Sequence, residues 1–136
     1  NSITINAVDL GLENATEVGT QTLTDGTVLK FDGGGNTNSP KYYNTGKNIR
    51  MYPKNSVTIT AKKKIASVIF NVDEYNGTTY NASGDISANP GSVNTAGKVV
   101  TISAVNNAST VITNTSGTTG ATSQVRIVSL TINYAE

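Results

Sequence analysis

The chain has no cysteine, no histidine and no tryptophan. The first absence excludes disulfides, thiol nucleophiles and thiolate metal sites. The second excludes imidazole ligands, His-based acid–base chemistry and Ser-His-Asp triads. Charge is also scarce, at 14% of 136 residues against roughly 25% in ordinary domains. A formal net charge of +1 is too small to imply electrostatic capture of nucleic acid or of an anionic membrane. No apolar run approaches the roughly 20 residues of a membrane span, so neither nucleic acid nor membrane insertion is expected. Most enzyme classes thereby lose the side chains they depend on, and no catalysis is expected.

What fills the gap is neutral and polar: 21 Thr, 17 Asn, 12 Ser and 13 Gly make up nearly half the chain. Thr suits strands, whereas Asn, Ser and Gly suit turns. The length fits one domain. Residues 1–136 are therefore expected to form a single module, cut from a longer chain whose other domains are its neighbours. Low-charge surfaces of this composition are typical of exported bacterial and phage modules, so an extracellular or cell-surface setting is expected.

Alternation of period two appears repeatedly and helical periodicity almost nowhere. Ile3, Ile5 and Ala7 alternate with polar residues. Asp25-Gly26 is a tight-turn signal between residues 20–24 and 28–31. Residues 48–52 place Ile49 and Met51 inward and Arg50 and Tyr52 outward, until Pro53 ends the run. Residues 57–60 and 66–72 read as two strands joined by a solvated turn at Lys62-Lys63-Lys64, the second strand being apolar enough for a sheet centre. Residues 99–104 and 110–113 read as a hairpin across Asn106-Asn107, with Val99 and Val111 in the core. In residues 125–134 the apolar parity changes, which predicts a bulge near Ile127. The one helix candidate, residues 9–16, supports no more than a turn. The sum predicts an all-β fold, an antiparallel two-sheet β-sandwich of jelly-roll type.

Chemistry concentrates in residues 31–52. Gly33-Gly34-Gly35 makes a loop that lets backbone approach a ligand closely, and Lys41, Tyr42, Tyr43, Arg50 and Tyr52 supply flat faces and donors beside it. Sugars are bound in this way: their C–H faces stack on aromatic rings while a few placed polar groups hydrogen-bond the hydroxyls. Adjacent strand residues point to opposite faces, so Tyr42 and Tyr43 are not both available to one surface. A second candidate is Asp73, Tyr75, Asn76 and Tyr80, a polar loop in which the two rings form the preferred exposed platform. Asp73, Glu74 and Asn76, and Asp9, Asp32 and Asp85 in turns, are eligible oxygen ligands for a structural Ca²⁺, although none has the spacing of an EF-hand loop.

The patterns Phe31-Asp32-x-Gly34-x-Asn36, Pro40-Lys41-Tyr42-Tyr43-Asn44 and Ile49-Arg50-Met51-Tyr52, with the closing Arg126-Ile127-x-Ser129-Leu130-Thr131-Ile132 strand, carry a family resemblance. The chain resembles a recurrent β-sandwich domain, of the carbohydrate-binding-module kind, in secreted and cell-surface proteins of gut bacteria. That resemblance implies non-catalytic glycan binding or a scaffold role, with Arg126 reaching back to hold the glycine loop. Its ligand would be a polysaccharide or glycan, starch-type glucan among the compatible ones, held by Tyr stacking because Trp is absent. The opposing expectation is a structural spacer or protein-adhesion domain of a surface or phage fibre, whose Tyr residues simply pack.

Overall fold

Alternating sequence is realised as strand almost throughout. The computed structural model describes residues 1–75, 77–81 and 84–136. The strands among them are β1 (Ser2–Asn6), β2 (Thr16–Glu17), β3 (Thr20–Thr22), β4 (Val28–Asp32), β5 (Lys41–Tyr43), β6 (Asn48–Met51) and β7 (Ser56–Val72). There follow β8 (Glu74–Tyr75), β9 (Thr78–Thr79), β10 (Ile86–Asn89), β11 (Ser92–Ala96), β12 (Val99–Ser103), β13 (Asn107–Asn114) and β14 (Val125–Tyr134). Of the helix candidate over residues 9–16, only Asp9 and Leu10 are helical, at the end of a 3₁₀ turn, Ala7–Leu10, closed by Gly11 in the left-handed conformation, and Thr16 already begins β2.

All pairings are antiparallel; apart from the separate β8–β9 pair, they sort into the two layers of a β-sandwich. One layer runs β3-β4-β7-β13-β10. The other runs β11-β12-β7-β14, with β1 beside the C-terminal half of β14 and β6-β5-β2 beside its N-terminal half. Strand β7 belongs to both, so the layers are joined into one 12-stranded sheet.

That continuity corrects the expected turn at Lys62-Lys63-Lys64. The three lysines lie inside the 17-residue β7, where its pairings jump from Thr60 to Ile65 as it crosses between layers. All three are exposed there, although Lys63 Nζ lies 4.9 Å from the Tyr134 ring centroid and Lys64 O accepts from the Ala135 N–H. A bulge keeps the crossing strand apolar inward: Tyr134 pairs with Ile65 and Asn133 with Ser67, leaving Ala66 extra. Val57, Ile59 and Ile65 are buried before that extra residue, and Val68, Phe70 and Val72 after it. One residue of slip would otherwise turn the second half inside out.

The bulge expected near Ile127 is present. The partners of β14 pass from Ile127↔Val72 to Ser129↔Asn71, which brings Val125 and Ile127, then Leu130 and Ile132, to the same core. The expected hairpin is not. Strands β12 and β13 lie in different layers, each against β7, and Val105 is buried between them while Ala104 and Asn106 take positive φ. Val100 and Ile102, and Thr110 and Ile112, are the inward pairs. Val99 and Val111 are exposed, because their neighbours of opposite parity took the core.

The core closes at one end on a polar contact. The Tyr134 hydroxyl donates to Asp25 Oδ2 at 2.5 Å and lies 2.6 Å from Thr27 Oγ1. Burial pushes the Asp25 carboxyl up, but the bonds from Tyr134 and Thr27 together outweigh it and hold the group below its ordinary 3.8. Burial and the same carboxylate raise Tyr134 above 10.0. Asp25 thus adds stability that is present above pH 3.8 and is lost as pH falls through the lower folded value, when the unfolded chain protonates first. Tyr134→Phe is expected to cost about 1 kcal/mol at pH 7. Urea denaturation at pH 7, 5 and 3 should show that difference shrinking only at pH 3; a constant difference would remove Asp25 from the account.

Candidate functional site

The outer face of the second layer gathers the polar and aromatic residues that the sequence singles out. Strands β5 and β6 alternate about their buried residues: Tyr42, Ile49 and Met51 go into the core, the tyrosine at 3% exposure, so Lys41, Tyr43 and Arg50 go out. Tyr42 is therefore a core residue and not part of any ligand face. Tyr52 continues the outward parity just beyond β6. Lys41 is the cross-strand partner of Arg50, and Arg50 of Arg126 on β14.

These side chains are fixed by one another. The Arg50 guanidinium lies over the Tyr43 ring, 3.7 Å from its centroid, a stack worth roughly 0.5–2 kcal/mol. The Tyr43 and Tyr52 hydroxyls are 3.2 Å apart. Lys41 Nζ sits 5.7 Å from the Tyr52 ring centroid and donates to Asn38 Oδ1 at 3.2 Å. Burial, with the hydrogen bond to Tyr43 next, pushes Tyr52 up to about 12 against the opposing pull of Arg50. Its hydroxyl accordingly keeps its proton at neutral pH.

Arg126 repeats the stacking motif one strand over. Its guanidinium lies 4.0 Å from the Tyr80 ring centroid, and its Nε donates to Gln124 Oε1 at 2.9 Å. Burial, then the positive charge of Arg50, lowers its pKa, while Tyr80, Tyr52 and Asp73 oppose the shift. Tyr80 itself is only 6% exposed. The exposed platform expected there is corrected: the ring is a floor beneath Arg126. The side chain of Tyr75 and the whole of Asn76 lie outside the described residues.

Asp73 is drawn to the same region. Its Oδ2 accepts from Asn48 Nδ2 at 2.9 Å, its Oδ1 from the Glu74 N–H, and its own N–H donates to Arg126 O. Asn48 is buried at 1% exposure, and its Oδ1 and the Arg50 Nε are both buried without a hydrogen-bond partner. Nothing in the local sequence singles out Gln124, whereas outward parity on β6 is the signal that points to Asn48.

The glycine loop borders this face and is held rigidly, but not by Arg126. Asn55, fully buried, donates from Nδ2 to Gly33 O and Asn38 O, each at 2.9 Å, while its Oδ1 accepts from Tyr52 N–H. Asn36 Nδ2 donates to Pro53 O, and Asp32 Oδ1 accepts from Gly34 N–H. The expected reach of Arg126 to this loop is thus replaced by asparagine cross-links. A groove of about 390 Å³ separates residues 35–37 from residues 116–119 beyond it. Among the described residues no three acidic side chains gather to hold a metal ion; Asp9 and Asp32 bind neighbouring amide N–H groups instead.

Comparison with known proteins finds no matching family model and no similar curated protein.

Proposed function

We propose that this chain is a non-catalytic carbohydrate-binding module of an extracellular or cell-surface protein, taking polysaccharide on the outer face of β5, β6 and β14. The observation that carries the reading is the joint placement of Lys41, Tyr43, Arg50 and Tyr52 on one outward face, ordered by stacking and hydrogen bonds before any ligand arrives. Such a surface costs little conformational entropy to use, and it combines ring area with a few polar groups, as sugar recognition requires. A shallow face of this kind gives micromolar to millimolar affinity per site, raised in a parent chain by multivalency. The resemblance to β-sandwich modules of gut bacteria points the same way.

Affinity electrophoresis in gels containing starch, xylan, β-glucan, pectin or mucin tests this. At least one polymer should retard the protein, and Tyr43→Ala and Tyr52→Ala should each weaken that retardation by roughly tenfold. Retardation untouched by both substitutions would move the site elsewhere. The spacer or adhesion reading is favoured by Tyr42 and Tyr80, both packed rather than presented, and a folded protein that runs freely in every gel would establish it over binding.

A further inference from the structure

Arg50 and Arg126 are the only arginines in the chain, and they are direct cross-strand partners. Lys41 extends the row to three cations across β5, β6 and β14. Like charges placed opposite each other on a sheet repel, so the arrangement is unfavourable unless something compensates it. Nearby acids do so only in part. Glu17, opposite Lys41 on β2, accepts the Ser39 hydroxyl, and both oxygens of Asp73 are engaged by Asn48 and the Glu74 N–H. Among the described residues neither guanidinium has a carboxylate partner: Arg126 Nε goes to the neutral Gln124, and Arg50 Nε to nothing.

The stacking geometry tells what the pair is suited to. Each guanidinium lies on a tyrosine ring, at 3.7 and 4.0 Å. Stacking uses the flat face of the group; with Arg126 Nε on Gln124 and Arg50 Nε buried, it is the Nη end of each guanidinium that can meet an oxyanion such as carboxylate or sulfate. A neutral glycan has no use for three adjacent cations, whereas an anionic one neutralises their repulsion. Burial and then the charge of Arg50 lower the Arg126 pKa, against the opposing pull of Tyr80, Tyr52 and Asp73.

We infer that Arg50, Arg126 and Lys41 form a subsite for the acidic group of an anionic polysaccharide, carboxylate or sulfate, bound with its ring against Tyr43 and Tyr52. This rests on the carbohydrate-binding reading and narrows it to acidic glycans.

The test is affinity electrophoresis with matched pairs of polymer: polygalacturonate against its methyl ester, and dextran sulfate against dextran. At least one acidic member should retard the protein tenfold more strongly than its neutral match, and which one does so identifies the anion. Arg126→Gln and Arg50→Gln should each weaken that retardation at least tenfold, Arg126→Lys should weaken it less, and thermal melts should show each variant folded. Lys98→Gln, an exposed lysine off this face, removes the same charge and should change nothing. Equal retardation by the acidic and neutral members overturns the acidic subsite and leaves carbohydrate binding standing. Retardation that Lys98→Gln reduces as much as Arg126→Gln is general charge attraction and also overturns the subsite. No retardation by any of the polymers, nor by those of the preceding test, removes both readings.

Discussion

Asn114→Ala is expected to lower the unfolding free energy by about 4 kcal/mol, from four hydrogen bonds at roughly 1 kcal/mol each. The side chain of Asn114 is 1% exposed and uses its full capacity. Its Nδ2 donates to Met51 O at 3.0 Å and Ser123 O at 2.8 Å, and its Oδ1 accepts from Ser116 N–H and Asn81 Nδ2, each at 3.1 Å. Its backbone adds bonds to Lys54 N–H and Asn55 O. Alanine leaves two carbonyls and two donors buried without that partner. Asn107, exposed and bonded through its side chain to Ser109 N–H, is the control, expected to cost under about 1 kcal/mol as alanine. Urea denaturation with an unchanged m-value would read both numbers. A loss at Asn114 no larger than at Asn107 would mean that the network is incidental to stability. Met51 and Ser123 adjoin Arg50 and Gln124, so this asparagine also sets how β6 and β14 meet beneath the cationic row.

Local alternation made much of this fold readable. Arg50 and Tyr52 outward, Ile49 and Met51 inward, the Asp25-Gly26 turn and the shift of parity in β14 all follow from period two and from turn chemistry. Two kinds of information were not local. The first is where a strand changes layers: three lysines suggest a turn, but a strand whose side chains reach solvent tolerates them, and only the pairing of β7 with β4, β13, β12 and β14 reveals the crossing. The same ignorance of partners made β12 and β13 look like a hairpin. The second is what a polar residue is for. Asn is turn vocabulary by propensity, yet Asn55, Asn81 and Asn114 are buried cross-links between loops distant in sequence. The polar neighbours of Tyr80 suggest exposure, whereas Arg126, some 46 positions later, covers it. Of the candidate site, the cluster from β5 and β6 was legible because it is local; the pairing of Arg126 with Arg50 depends on which strand lies beside β6.

Gly34→Ala is expected to destabilise the protein by about 3 kcal/mol, while Gly35→Ala one residue on costs only about 1 kcal/mol. Both glycines take positive φ, +60° and +92°, and an L side chain in the left-handed region is strained by roughly 1–2 kcal/mol. They differ in what a Cβ would meet. At Gly35 nothing lies within 4 Å, whereas at Gly34 the added atom would stand 1.9 Å from the Lys54 carbonyl oxygen. That oxygen is backbone and cannot rotate away, so the loop must lift from the chain at Lys54. Lifting it pulls on the two bonds from Asn55 Nδ2 to Gly33 O and Asn38 O, each worth roughly 1 kcal/mol, which brings the sum to the larger figure. The displacement also reaches the proposed binding face, since Asn38 Oδ1 receives Lys41 Nζ. Paired urea curves for the two variants check the argument: equal costs would mean that the loop gives way freely and that Asn55 does not clamp it, whereas a gap of about 2 kcal/mol shows that the close approach to Lys54 is what requires glycine at position 34.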